Sequence, residues 1–175
     1  MIAEIVVWPK KYILMSSRNE IIMSGKITFS MIKPGAVQHQ DIGSILNIVC
    51  AKGFRIVAMK MSRMSRERAE KFYCEHKKQP FYNELVDFMS SGPIIAIVFE
   101  KENAVADFRK LIGATDPLKA EDGTIRKMFA ESVQKNAIHG SDSDENALRE
   151  ALFHFASSEI FDEQGHVMDV RDLGC

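Results

Sequence analysis

The stretch "GPIIAIVFEKENAVADFRKLIG", residues 92–113, decides the fold class. Ile94 to Phe99 is an unbroken apolar run between Gly92-Pro93 and Glu100. It is short for a helix and shows no alternation, as expected of a central strand buried on both faces. The second half reads as a helix, with Asn103 placed as its N-cap and Gly113 as its stop. On the N-terminal side, Pro80 starts a short helix, "FYNELVDFMSS" (81–91), with Leu85, Phe88 and Met89 on one face. Before it, Ser65 caps a helix reaching about Cys74, and "FRIVAMKM" (54–61) alternates as a strand. Ile42, Ile45, Leu46 and Val49 fall at helical spacing between Asp41 and Gly53, and Ile27, Phe29 and Met31 alternate with polar neighbours as a first strand. Toward the C-terminus come a turn-rich loop (114–123), a short helix around Arg126, an irregular segment through His139 and a helix capped near Ser143. Strands alternating with helices in this order predict an α+β domain: a ferredoxin-like antiparallel β-sheet flanked by α-helices, packed over one face.

The chain has 175 residues, enough for one domain, and 46% of them are apolar, enough for a substantial core. Its 23 basic and 24 acidic side chains leave a net charge of −1, so there is no basic excess to hold a polyanion, and no nucleic-acid partner is expected. Cys50, Cys74 and Cys175 are far apart and form no C-x-x-C pair. They support neither a disulfide framework nor a zinc site, and they fit a reducing compartment. No apolar run approaches the roughly 20 residues of a membrane-crossing helix, so no membrane is expected. Residues 1–25 lack a clean period and read as an N-terminal extension. Their apolar patch, Ile5–Trp8, follows Glu4 and precedes Pro9-Lys10-Lys11, the reverse of a signal peptide's charge order, so a cytoplasmic location is expected. Residues 26–160 read as the domain and 161–175 as a C-terminal tail.

His139 is the first candidate for chemistry. It stands in "NAIHGSDSDENALRE", followed by Gly140, which permits unusual backbone angles, and by Ser141, Asp142 and Ser143, which lead into a helix. A lone loop histidine is ordinarily a solvated side chain. This one has Glu150 eleven residues on, in the following helix, where it can reach back to the far ring nitrogen and orient a nucleophilic imidazole. A second group is cationic: Lys33 beside Pro34 at a strand end, Arg109 on the 103–112 helix and Arg126 after "DGT". Each alone is ordinarily a solvated charge. With Thr115 in the long loop they supply guanidinium forks, an ammonium and a hydroxyl, a donor set matched to a polyphosphate. There is no glycine-rich phosphate loop, so side chains would have to do the holding.

The blocks "MIKPGAV", "GFRIVAMKM", "PFYNELVDFMSSGPIIA", "FRKLIGATDP", "GTIR" and "NAIHGSDS" resemble the nucleoside diphosphate kinases, in family order, over about residues 27–155. The resemblance implies a ping-pong phosphotransfer from a nucleoside triphosphate to a nucleoside diphosphate, with His139 as the phosphate acceptor. It implies phosphate contacts from Lys33, Arg109, Thr115 and Arg126, and sugar-hydroxyl contacts from Asn136 with Lys33. Tyr73 would lie beside the histidine, with Ser141 and Glu150 as its support. Phe81 would stack on the base, with Val133 on the opposite face and Leu85 nearby. A stack reads only the π-face, so broad base tolerance follows. Mg2+ would ride on the nucleotide phosphates, with no metal cage in the protein. Family members assemble as tetramers or hexamers, so a homo-oligomer is implied. Gly35 stands where the family more usually has Asp, and Asp116 where Asn is common before Pro117.

Two other readings compete. One is a catalytically idle relative that serves as a nucleotide-binding or scaffold module, and it would need a broken active-site set. The other is an RNA-binding sheet, suggested by "KGFRIV", but the remaining aromatics of that signature are absent.

Overall fold

The computed structural model describes residues 25–168. Four strands, β1 (Ile27–Ile32), β2 (Arg55–Arg63), β3 (Pro93–Glu100) and β4 (Ile138–Gly140), form one antiparallel sheet in the order β2-β3-β1-β4. β1 and β3 occupy the centre and pair without a break, from Ile27 opposite Glu100 to Ile32 opposite Ile95. This is the ferredoxin-like plan: helical crossovers separate sequential strands, β3 inserts between β1 and β2, and β4 takes the edge beside β1.

The helices are α1 (Pro34–Gln38), α2 (Ile42–Ala51), α3 (Arg66–Phe72), α4 (Tyr82–Ser91), α5 (Ala104–Ile112), α6 (Ile125–Phe129) and α7 (Asp144–His154). They cover both faces of the sheet, which corrects the expectation of a single covered face. α3, α4 and α7 bring Phe72, Met89 and Ala151 against Phe29, Met31 and Val98. α2, α5 and α6 bring Ile45, Phe108 and Ile125 against Ile32, Ile97 and Phe99 on the other side. The cause lies in the central strands. Every residue of β1 and all of Ile94–Phe99 are buried, and leaving either face of such strands in water would expose apolar side chains worth about 1.5–3 kcal/mol each.

Ser65 and Ser143 cap as expected, their hydroxyls accepting from the N–H groups of Arg68 and Asn146 at 3.2 and 3.1 Å. Asn103 does not cap with its side chain. It adopts a left-handed backbone (φ 55°), and only its carbonyl enters the helix ladder. Two elements are absent from the sequence reading: the one-turn α1, which Pro34 can begin because it needs no N–H there, and β4, three residues long and too short for a period to show. β2 runs to Arg63 and carries a register shift between Ile56 and Ala58 that a strict alternation does not anticipate. Part of the expected tail belongs to the fold: the Phe161 N–H donates to Val57 O at 3.0 Å, and Met168 is buried in the core. The extension up to residue 24, and the tail from residue 169 with Cys175, lie outside the described residues.

Candidate active site

The candidate site is built where the C-terminal end of β1 meets β4. The backbone N–H of Lys33 donates to Ala137 O at 2.8 Å, tying the residue after β1 to the segment that leads into β4. Ala137 holds φ 64°, a conformation uncommon for a residue with a Cβ, and the Ile138 N–H closes a tight turn onto Asn136 O at 2.8 Å. This corner brings Asn136 and His139 to the same cavity. Gly140 follows for a reason different from the expected one. Its φ is not positive; instead, an added Cβ would lie 2.8 Å from the Phe108 ring and 2.9 Å from Ile112. The absent side chain lets β4 press onto α5, and so fixes the histidine next to it.

A cavity of about 320 Å³ opens over this corner, within the size range of small-molecule sites. His139 and Glu150 lie on its floor, with Lys33, Tyr73, Arg126 and Asn136 on the inner wall. Arg109 from α5 and Thr115 from the 114–123 loop, both exposed, also line it. So do the exposed Phe81 and Val133 and the buried Leu85. Of the twelve side chains singled out in the sequence, only Ser141 is not on the cavity surface. It lies directly beneath, where its hydroxyl donates to Glu150 Oε2, and the same carboxylate oxygen sits 2.9 Å from His139 Nε2. Glu150 is buried on α7, so its two partners provide the hydrogen bonds that water would otherwise supply.

Burial sets the charges of the inner wall. Lys33 is buried without a carboxylate partner and lies near Arg126, so its ammonium is held down to about 7. The Arg126 guanidinium donates to Gly113 O at 2.9 Å and Ile138 O at 3.0 Å; burial, with Arg109 nearby, lowers it to about 10, which leaves it charged at neutral pH. Burial and the Glu150 carboxylate push the Tyr73 phenol up, so it remains a neutral donor. Among the described residues, five buried side-chain polar atoms lack a partner, and three of them (Tyr73 OH, Arg126 Nε and Asn136 Oδ1) belong to residues on this wall. Buried polar groups are nearly always satisfied, so a cluster of exceptions around one cavity is what a polar ligand's site looks like before the ligand arrives.

The cavity is also lined by Glu75, His76, Gln134, Gly140 and Asp142, none of which had been assigned a place in the site from the sequence. His76 carried a usable signal, since it lies three residues after Tyr73 in the same turn. Asp142 and Gln134 carried none, being short-range neighbours of named residues in loops with no period. Asp116, where the family commonly has Asn, accepts from the Leu118 N–H at 3.0 Å, a loop-closing turn that either residue can make.

The wall donates to anions, the mouth offers an apolar face, and the floor presents an imidazole already oriented from behind. A ligand bearing both phosphate and a flat ring would satisfy all three. The sequence model of the family described as nucleoside diphosphate kinase matches residues 26–160. The nucleoside diphosphate kinase of Chlorobaculum tepidum is 56% identical over 133 residues, which span 76% of this chain and 95% of that protein. That of Flavobacterium psychrophilum is 55% identical over 139 residues, 79% of this chain and all of that protein. Among solved structures, the Aquifex aeolicus nucleoside diphosphate kinase superposes with a TM-score of 0.75 at 43% identity, covering 77% of this chain and 98% of that one. The Encephalitozoon cuniculi enzyme gives 0.76 at 36% identity, covering 83% and 97%. The chain belongs to the nucleoside diphosphate kinase family.

Proposed function

We propose that this chain transfers the terminal phosphoryl group of a nucleoside triphosphate to a nucleoside diphosphate in two half-reactions through a phosphorylated His139. The observation that carries the reading is the Glu150 carboxylate 2.9 Å from His139 Nε2. A carboxylate only accepts, so the ring proton resides on Nε2 and the lone pair on Nδ1, which becomes the nucleophile. Nδ1 attacks the γ-phosphorus, the bond to the β–γ bridging oxygen breaks, and the nucleoside diphosphate leaves. Glu150 then faces a positively charged ring and stabilises it. In the second half-reaction a β-phosphate oxygen of the incoming diphosphate attacks the same phosphorus, the N–P bond breaks, and the ring is restored. A phosphoramidate keeps the group's transfer potential, so both halves run in either direction; a serine ester would not.

Phosphoryl transfer is mostly positioning and charge neutralisation. Lys33, Arg109 and Arg126 supply the cations, Thr115 and Tyr73 hydroxyl donors, and Asn136 with Lys33 the sugar-hydroxyl contacts. Phe81 and Val133 take the base between them, with Leu85 behind. Among the described residues no three His, Cys, Asp or Glu side chains gather as a metal cage, and the inner wall is cationic. These residues therefore suit Mg2+ only as part of the substrate, on the phosphate oxygens. When bound there, the ion neutralises phosphate charge. No helix among the described residues is long and apolar enough to cross a membrane. A cytoplasmic location and a homo-oligomeric assembly complete the reading. No observation at the cavity favours the catalytically idle alternative.

The test is incubation with γ-labelled ATP. The expected result is an acid-labile, alkali-stable label on His139, released as labelled triphosphate when a different nucleoside diphosphate is added. Kinetics that require both nucleotides bound together, with no labelled protein to isolate, would overturn the mechanism.

A further inference from the structure

Two cations are buried at the cavity, and the protein treats them differently. The Arg126 guanidinium has two carbonyl acceptors, Gly113 O and Ile138 O. Lys33 is only 5% exposed, and among the described residues no hydrogen bond or ion pair engages its Nζ. Its backbone is pinned at the corner: the N–H donates to Ala137 O at 2.8 Å, the carbonyl accepts from the Val37 N–H at 3.1 Å, and the following Pro34 restricts the residue to an extended conformation. The one buried carboxylate among the described residues, Glu150, is already engaged by His139 and Ser141. An amine rooted in this wall, short of water and near a guanidinium, has little to stabilise its charged form, and burial with Arg126 nearby brings Lys33 down to about 7.

We infer that, above neutral pH, the Lys33 amine takes up a proton from solvent as a nucleotide binds, so that its ammonium forms where a phosphate has arrived to pair with it. This rests on the nucleotide reading above. The other charged and titratable groups at the cavity are Arg109 on α5, Arg126 on α6, Tyr73, Glu75 and His76 after α3, His139 on β4, Asp142 before α7 and Glu150 on it. At about pH 8 Tyr73 is still neutral and Arg126 still charged. Carboxylates as a class are ionised well below that pH, and so are the phosphates of a free diphosphate. The two imidazoles are therefore the rival proton acceptors.

The test is calorimetric titration with ADP and Mg2+ at about pH 8 in buffers of different ionisation enthalpy. The expected result is uptake of about 0.9 proton per nucleotide, with binding that weakens about 8-fold in Kd between about pH 7.5 and 8.5. In Lys33→Arg, which keeps the cation but does not titrate there, the uptake falls close to zero and Kd holds steady across that range. His76→Gln and His139→Gln keep the full uptake. NMR of the protein carrying isotope-labelled lysine reads the group directly: one Cε resonance, missing from Lys33→Arg, moves with pH around neutrality in the free protein and stops moving when ADP is bound. Binding without proton uptake, uptake that survives in Lys33→Arg, or uptake lost in either glutamine variant overturns the inference. None of these measurements needs turnover. A protein that bound ADP and took up the proton but transferred no phosphate would fail the proposed reaction alone, and one that bound no nucleotide would fail both.

Discussion

Two histidines share one aromatic cluster and meet opposite fates. The rings of Phe29 and Phe72 lie 6.0 and 5.4 Å from His139 on the cavity side, and 5.0 and 5.4 Å from His154 on the other. His139 has the Glu150 carboxylate on its Nε2 and an open face to the cavity. His154 lies one turn further along α7 with Nε2 buried and unpartnered, and burial, with the Arg68 charge next in effect, pulls its pKa down to about 4. The same ring in nearly the same surroundings is thus a candidate nucleophile on one side and an inert neutral filler on the other. What separates them is one carboxylate and one cavity, so removing either should make His139 behave like its neighbour.

The largest effect is expected from His139→Ala, which removes the attacking atom. Phosphoryl exchange should fall by about four orders of magnitude or more, while urea unfolding still shows a cooperative fold, less stable by about 1–3 kcal/mol because the buried Glu150 loses one of its two partners. Appreciable steady-state exchange in the variant would mean that the nucleophile is elsewhere. Glu150→Gln is the sharper probe, because it keeps the shape and removes the charge that fixes the ring proton on Nε2. Loss of one charge-assisted bond of about 1.5–3 kcal/mol corresponds to a drop in kcat of about 10- to 100-fold. The rate of single-turnover labelling should fall with it, and an unchanged labelling rate would show that Glu150 only fills space. Ser141→Ala removes a donor to Glu150 but leaves the carboxylate on the histidine. It should cost about 1 kcal/mol, a few-fold in kcat, and a loss as large as that of Glu150→Gln would place the serine closer to the reaction than its position beneath the floor allows.

The contrast between the two histidines also marks what the sequence could convey. His139 was legible as a candidate because of its neighbours: Ser141 leads into the following helix, and Glu150 stands on that helix at a spacing from which a carboxylate can reach back to the ring. The helices were legible where apolar residues repeat over two turns, as in Ile42–Val49, and the central strand β3 from the unbroken apolar run Ile94–Phe99. The three-residue β4, the five-residue α1 and the left-handed turn at Ala137 were not, being too short for a period and, at Ala137, lacking the glycine that would have announced the backbone. Gly140 was recognised for the wrong reason, since close approach of β4 to α5 is a tertiary fact that no local pattern records. His154 could not be distinguished from a surface histidine at a helix end, because its burial depends on Phe29 and Phe72, brought from two distant segments.

His154 carries the smallest effect on activity and the clearest one on stability. An unfolded chain binds a proton on this ring below about pH 6.5, while the folded protein refuses it until about pH 4. Between those values the unfolded state holds more protons, so stability falls as the pH falls, and the residue's contribution to that loss is about 2–3 kcal/mol by pH 4. Above pH 6.5 both states leave the ring neutral and the contribution disappears. His154→Phe keeps an aromatic ring against Phe29 and removes the titration. The unsubstituted protein and the variant should therefore have urea-unfolding free energies that differ least at pH 7 and diverge steadily down to pH 4.5, with the variant the more stable. If the two stayed parallel over that range, the buried ring would be finding a proton partner in the folded state, and the asymmetry between the two histidines would lie in the cavity alone.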